Sequence, residues 1–241
     1  MGSKGGIVLV GHLPVHFDSL IRSVGLHSSL SVVRWRPIRF SVIGSFLSIL
    51  CLFFRVLLAI VCCAGKAVLA QYAFPDGFVS VLASSLLKRH CFIQVVGSDI
   101  RQLSKGLRLS LISWSLRNAT GVICVSKDLK QRSTRLGAKL TQVIPTPVDA
   151  SVFFRGYKPD RQQRLVTVAN LVPLKGIDIL IKALHEGPRV ELMVIGDGPE
   201  RKRLEELSSE LKLKEFVTFT GFISQEKLSE YLHSSSIFVL P

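Results

Sequence analysis

Residues 164–200, RLVTVANLVPLKGIDILIKALHEGPRVELMVIGDGPE, decide the fold. Leu165, Val166, Val168 and Ala169 make a short apolar run that breaks into a loop over residues 170–176. Ile177, Leu180, Ile181 and Leu184 then recur at helical spacing, and residues 191–195 form a second apolar run ending at Gly196-Asp-Gly-Pro199. This order predicts two strand-to-helix loops side by side at the carboxyl edge of a parallel sheet, where open α/β sheets bind ligands. Lys175 stands just before one helix, and the other opens after Gly198 with Pro199 in its first turn. A helix amino terminus with a lysine close by suits a phosphate or diphosphate.

Upstream the same alternation repeats. Residues 6–10 (GIVLV) read as a first strand, left through a loop that carries Gly11 and His12, with His12 a candidate for the strand's carboxyl end. A helix is expected over 17–30, and strands over 30–35, 67–72, 91–96, 121–125 and 142–144. The intervening helices cover 78–87 and 107–117, and another begins after Ser126, a plausible cap. The loop Gly97-Ser98-Asp99 follows the 91–96 strand. A repeated strand–loop–helix order means α/β architecture with mostly parallel sheets. The polar stretch 157–163 (YKPDRQQ) reads as a linker, giving an N-terminal domain over 1–158 and a second over 159–241 with only four strands.

Charge divides at the same place. Residues 1–164 hold 22 Lys and Arg against 6 Asp and Glu, while residues 165–241 hold 9 against 11. The first part therefore calls for an anionic neighbour such as lipid headgroups or a phosphorylated acceptor. Nucleic acid is not expected, because the basic residues are scattered and no binding motif is present. A hydrophobic content of 48% excludes wholesale disorder. The five cysteines lie in apolar surroundings without metal-ligand spacing and read as small buried hydrophobes of a reducing compartment. His12 and His16 are four apart with Pro14 between them, so no zinc site is expected there.

Residues 40–65 are the most ambiguous segment. Fifteen large aliphatic or Phe side chains, at about −0.3 to −0.6 kcal/mol each, outweigh the central Arg55 at roughly +2.5 to +3.5 kcal/mol, so hydropathy alone permits a transmembrane helix. A span would place the first strand across the membrane from everything after Lys66, which one sheet over 1–164 forbids. A helix at the headgroup boundary, a plain core helix and a span all stay open, the first being preferred.

The restart at Arg164 brings a resemblance into view. The runs LVTVANLVPLKGIDILIKAL, VELMVIGDGPERKRLEEL and VTFTGFISQEKLSEYLHSSSIFVLP resemble the second domain of family 4 glycosyltransferases, and QYAFPDGFVSVLASSLL, VVGSDI, GVICVSKDL and VIPTPVDASVFF follow the family's order in the first. The resemblance implies the GT-B fold, two Rossmann-like domains, with the second incomplete here. It implies that Lys175 neutralises the diphosphate of a nucleotide-sugar donor, with Asn170 where the family usually carries arginine. Gly176, Gly196, Asp197 and Gly198 would complete the diphosphate loops, and Gly221 and Phe222 would border the base. In the first domain Gly11, His12, Gly97, Ser98 and Ser126 would line the acceptor side. Asp99 is the catalytic candidate by default, because Val96 stands where many relatives carry histidine. The family's two acidic residues would come after Pro241, so the chain is expected to be a fragment, a truncated product or half of a split enzyme.

The function expected is therefore retaining transfer of a sugar from a nucleotide-diphosphate donor to a glycan or lipid-linked acceptor. No cofactor or metal is expected beyond that co-substrate, and the setting is the cytoplasmic face of an anionic membrane. A non-catalytic nucleotide-binding module and a membrane-spanning protein are the rivals.

Overall fold

The computed structural model describes residues 6–11, 30–34, 42–62, 65–97, 100, 106–146, 153, 164–187 and 189–241. The expected helix over 17–30, the linker 157–163, and His12, Ser98 and Asp99 lie outside them. The chain divides into two compact units, Met1–Val148 and Asp149–Pro241.

The first unit is built on a six-stranded, wholly parallel sheet ordered β2-β1-β3-β4-β5-β6. Its strands are β1 (Gly6–Gly11), β2 (Leu30–Arg34), β3 (Gly65–Gln71), β4 (His90–Val95), β5 (Gly121–Cys124) and β6 (Thr141–Val143). Helices α1 (Val42–Cys62), α2 (Phe78–Leu86), α3 (Leu107–Asn118) and α4 (Lys127–Arg135) connect them. Val8, Leu9 and Val10 of β1 are all buried. A strand covered on both faces reads as a continuous apolar run, which is why GIVLV was legible. The core joins Val8, Val68 and Ile93 to Val56 of α1, Val79 of α2 and Leu116 of α3.

Helix α1 resolves the ambiguity of residues 40–65. It connects β2 to β3, which flank β1 in the same sheet, so its two ends cannot lie on opposite sides of a membrane. Among the described residues no helix qualifies as a membrane span. The spanning reading is therefore withdrawn. One stripe of α1, Ser48, Leu52, Val56 and Ile60 at four-residue spacing, is buried, while Phe54 and Leu58 on another side are exposed. The expectation of five buried cysteines also needs correcting. Cys91 and Cys124 are buried in strands, but Cys51 and Cys62 fall on the uncovered side of α1 and are exposed.

The second unit has a four-stranded parallel sheet ordered β10-β7-β8-β9. Its strands are β7 (Arg164–Val168), β8 (Glu191–Ile195), β9 (Val217–Gly221) and the short β10 (Ile237–Phe238); its helices are α5 (Ile177–Glu186), α6 (Arg201–Glu210) and α7 (Gln225–Ser234). The apolar positions that predicted α5, namely Ile177, Leu180, Ile181 and Leu184, are its buried face. They pack with Leu192 and Val194 of β8 and Leu204 of α6. Strand β10 is only two residues long, although Val239 N beyond it still donates to Val166 O at 2.8 Å.

Candidate functional site

Three loops leave the carboxyl ends of β7, β8 and β9, and backbone hydrogen bonds stitch them together. Ala169 N donates to Ile195 O at 3.0 Å, Leu171 N to Asp197 O at 2.9 Å, Glu200 N to Leu171 O at 3.0 Å, and Gly196 N to Gly221 O at 3.0 Å. The structure thus brings Asn170, Lys175, Gly176, Gly196, Asp197, Gly198, Gly221 and Phe222 to one edge of one sheet.

The β7 loop makes a single 3₁₀ turn, Pro173–Lys175, and Gly176 follows at φ 62° and ψ 23°. That left-handed conformation turns the chain into α5, whose first turn receives no side-chain cap. Lys175 is half-buried beside that terminus and forms no ion pair with a described residue. Asn170 is exposed. An uncapped helix start and an uncompensated ammonium group in one loop make a local positive potential that attracts an anion.

The β8 loop carries both a carboxylate and its counter-charge. Asp197 Oδ1 accepts from Gly198 N at 2.7 Å, and Asp197 Oδ2 accepts from Arg201 at 3.1 Å. Arg201 also donates to Glu205 Oε1 at 2.9 Å and to the Phe219 carbonyl at 3.4 Å. Hydrogen bonds to Glu205 and then Asp197 hold the Arg201 pKa above its ordinary value. Arg201 is thus a tie between α6 and β9, and its charge is balanced within the protein, unlike that of Lys175. It escaped the sequence reading, although its i, i+4 spacing from Asp197 and to Glu205 was a signal.

The glycines of the β8 loop have a local task. A Cβ on Gly198 would lie 2.5 Å from Leu171 O and 2.8 Å from Leu171 N, and one on Gly196 (φ 127°) would strike Ala169 O. The room they leave is filled by the backbone of the β7 loop. Gly221 has φ 72°, and the Phe222 ring next to it is 76% exposed, so a large apolar face lies open at the β9 end.

In the first unit, Gly11 is buried at the carboxyl end of β1, and Gly97 takes φ 127° after β4. Ser126 is the N-cap of α4, its hydroxyl oxygen accepting from Leu129 N at 3.3 Å. The same sheet edge holds groups that the sequence reading passed over. Gln71 closes β3 at 3% exposure, and its Oε1 has no hydrogen-bond partner. Tyr72 follows at φ 79°, a conformation non-glycine residues rarely hold, and Asp76 in the next turn is fully buried. A polar residue ending the apolar run 67–70 was the only sequence signal. Among the described residues no group of three or more His, Cys, Asp or Glu is placed to hold a metal ion.

The fold is that of the GT-B glycosyltransferases. The chain is similar to the Anabaena Alr3699/HepE structure solved in complex with UDP, with a TM-score of 0.70 at 18% identity, covering 97% of this chain and 73% of that one. Residues 150–241 match the family described as Glycosyl transferases group 1. The lipopolysaccharide core biosynthesis glycosyltransferase LpsD of Rhizobium meliloti (strain 1021) is 30% identical over 131 residues, which is 51% of this chain and 37% of that protein. The phosphatidylinositol N-acetylglucosaminyltransferase GPI3 subunit of Saccharomyces cerevisiae is 29% identical over 146 residues, 54% of this chain and 32% of that one. The chain thus spans about a third of the length of these relatives.

Proposed function

We propose that this chain serves glycosyl transfer from a nucleotide-diphosphate sugar, its second unit holding the donor and its first unit facing the acceptor. The observation that carries the reading is Lys175, without an ion-pair partner among the described residues, at the uncapped start of α5 in a loop stitched to its neighbours. Loss of a diphosphate leaving group builds negative charge, and a fixed cation with a helix terminus stabilises it. Asn170, Gly176, Gly196, Asp197 and Gly198 form the surrounding loops, and the exposed Phe222 ring beside Gly221 offers a stacking face for the base. Gly11, His12, Gly97, Ser98 and Ser126 belong to the acceptor side, with Asp99 as the catalytic candidate.

The transfer is proposed to retain anomeric configuration and to need no metal. The acceptor is a glycan or a lipid-linked molecule at the cytoplasmic face of an anionic membrane, a choice supported by the basic first unit and by relatives whose names specify lipopolysaccharide core and phosphatidylinositol. Calorimetric titration with UDP and GDP tests the donor half. Lys175→Ala is expected to weaken binding by about tenfold or more, the effect of losing one charge-assisted contact. Equal affinity in the wild type and the variant sinks the assignment. Undiminished binding in excess chelator is expected, and its loss would count against the metal-free reading.

A further inference from the structure

Helices α1 and α2 lie side by side over the sheet, both packed on β3. Each buries one side in the core and leaves large apolar groups on the other. On α1 these are Leu47, Leu50, Phe54, Leu58 and Val61, at 42% to 63% exposure and at spacings of three and four, so they form one stripe along the helix. Leu82 and Leu86 are exposed on the neighbouring α2. Scattered exposed leucines need no explanation, but a stripe running the length of α1, with further exposed leucines on the helix packed beside it, marks an interaction surface.

Charge identifies the partner. Both helices end at the amino edge of the sheet, where exposed Lys66 begins β3 and exposed Lys88, Arg89 and His90 lead into β4; Ala67 pairs with His90 in the sheet register. Arg55 is exposed on α1 itself. Between Asp18 and Asp99 the sequence carries eight Lys and Arg and one carboxylate, Asp76, which is fully buried. A second copy docking through the same face would oppose two basic rims with no carboxylate from these segments to pair with them. An anionic bilayer takes apolar side chains into its headgroup boundary and meets the basic rim with phosphate charge.

We propose that the outward faces of α1 and α2 are the surface by which this chain seats on an anionic membrane. Leu47, Leu50, Phe54, Leu58 and Val61 enter the acyl boundary, and Lys66, Lys88 and Arg89 meet the headgroups. The seating surface is thus the outer side of a core crossover helix. The proposal rests on the membrane placement above and names the face that makes it.

Vesicle flotation tests it, with phosphatidylcholine alone and with phosphatidylcholine mixed with phosphatidylglycerol. The wild type is expected to float with the mixed vesicles and to be released by salt. Phe54→Glu with Leu58→Glu should lower partitioning by about tenfold or more, while thermal unfolding stays as in the wild type because both side chains are exposed. Lys88→Gln with Arg89→Gln should lower it by about twenty-five-fold, from roughly fivefold per basic residue near the surface. Unchanged flotation of the Phe54/Leu58 variant overturns the assignment of the face while leaving membrane placement intact. A wild type that does not float overturns both, whereas nucleotide binding is judged separately by its own titration. A wild type that is dimeric by light scattering, is dispersed by the Phe54/Leu58 changes and ignores vesicles makes the face a self-interface, and the proposal falls.

Discussion

Gly198→Ala separates two reasons for a glycine in the β8 loop, room for a ligand and room for a neighbouring backbone. A methyl carbon there would sit 2.5 Å from Leu171 O, 2.8 Å from Leu171 N and 2.9 Å from Leu171 C, atoms of a residue with no exposed surface. Relieving that contact means pushing apart the β7 and β8 loops, which are joined at this point by Leu171 N to Asp197 O and Glu200 N to Leu171 O. Two backbone hydrogen bonds are worth about 0.5–1.5 kcal/mol each, and overpacking adds about 1–3 kcal/mol. Reduced freedom of the unfolded chain returns about 0.4–1 kcal/mol. The expected net destabilisation is about 1–5.5 kcal/mol, centred near 3 kcal/mol and a large fraction of the ~5–15 kcal/mol that holds a domain together. Gly176→Ala is the control. Its nearest neighbours are 3.6 Å away, so only the left-handed φ of 62° opposes the change, at about 1–2 kcal/mol. Both tryptophans, Trp35 and Trp114, belong to the first unit, so urea unfolding is best followed by circular dichroism, with hydrogen exchange on peptides from β7 and β8 to locate the loss. If Gly198→Ala costs less than about 1 kcal/mol, or no more than Gly176→Ala, loop packing is not what requires the glycine.

Two more predictions concern the first unit. Gln71→Met removes a buried amide whose oxygen has no partner, and by relieving that desolvation it should raise stability by about 1 kcal/mol in thermal or urea unfolding; a loss of similar size would mean the amide has a structural task. Burial pushes the Cys91 thiol up from 9.0 to about 12, so above pH 9 the unfolded chain releases a proton that the folded chain keeps. Stability should therefore be unaffected by this group below pH 9 and fall by up to about 1.4 kcal/mol per pH unit between 9 and 12; the slope difference against Cys91→Ala measures it, and equal slopes refute it.

What was legible in the sequence followed from burial on both faces or on one clean stripe. The β1, β4 and β8 strands are apolar runs because helices or further chain cover them, and α5 is legible because Ile177, Leu180, Ile181 and Leu184 are all buried. The 40–65 segment was ambiguous because hydropathy sums over the whole circumference of a helix, and α1 is apolar on its outward side as well as its core side. Only the pairing of β2 and β3 with β1 decides between a span and a crossover, and that pairing is not local in sequence. The positions of Gly196 and Gly198 were legible, but the backbone atoms opposite them were not, so close loop packing could not be told from space kept for a nucleotide. Gln71 was missed for a related reason: a polar residue at the end of a strand looks like ordinary exit into solvent, whereas this one is nearly enclosed.

The hydrogen bonds that run from Ala169 to Ile195, from Leu171 to Asp197 and from Gly196 to Gly221, with Arg201 fastening Asp197 to the Phe219 carbonyl, leave the three loops little independent freedom. A ligand arriving at this edge meets a preorganised plate rather than three segments to be ordered. The conformational entropy that binding would otherwise consume is lost at folding instead. In the proposed donor site, discrimination between ligands would then fall to the side chains of Asn170, Lys175 and Phe222 rather than to the backbone beneath them.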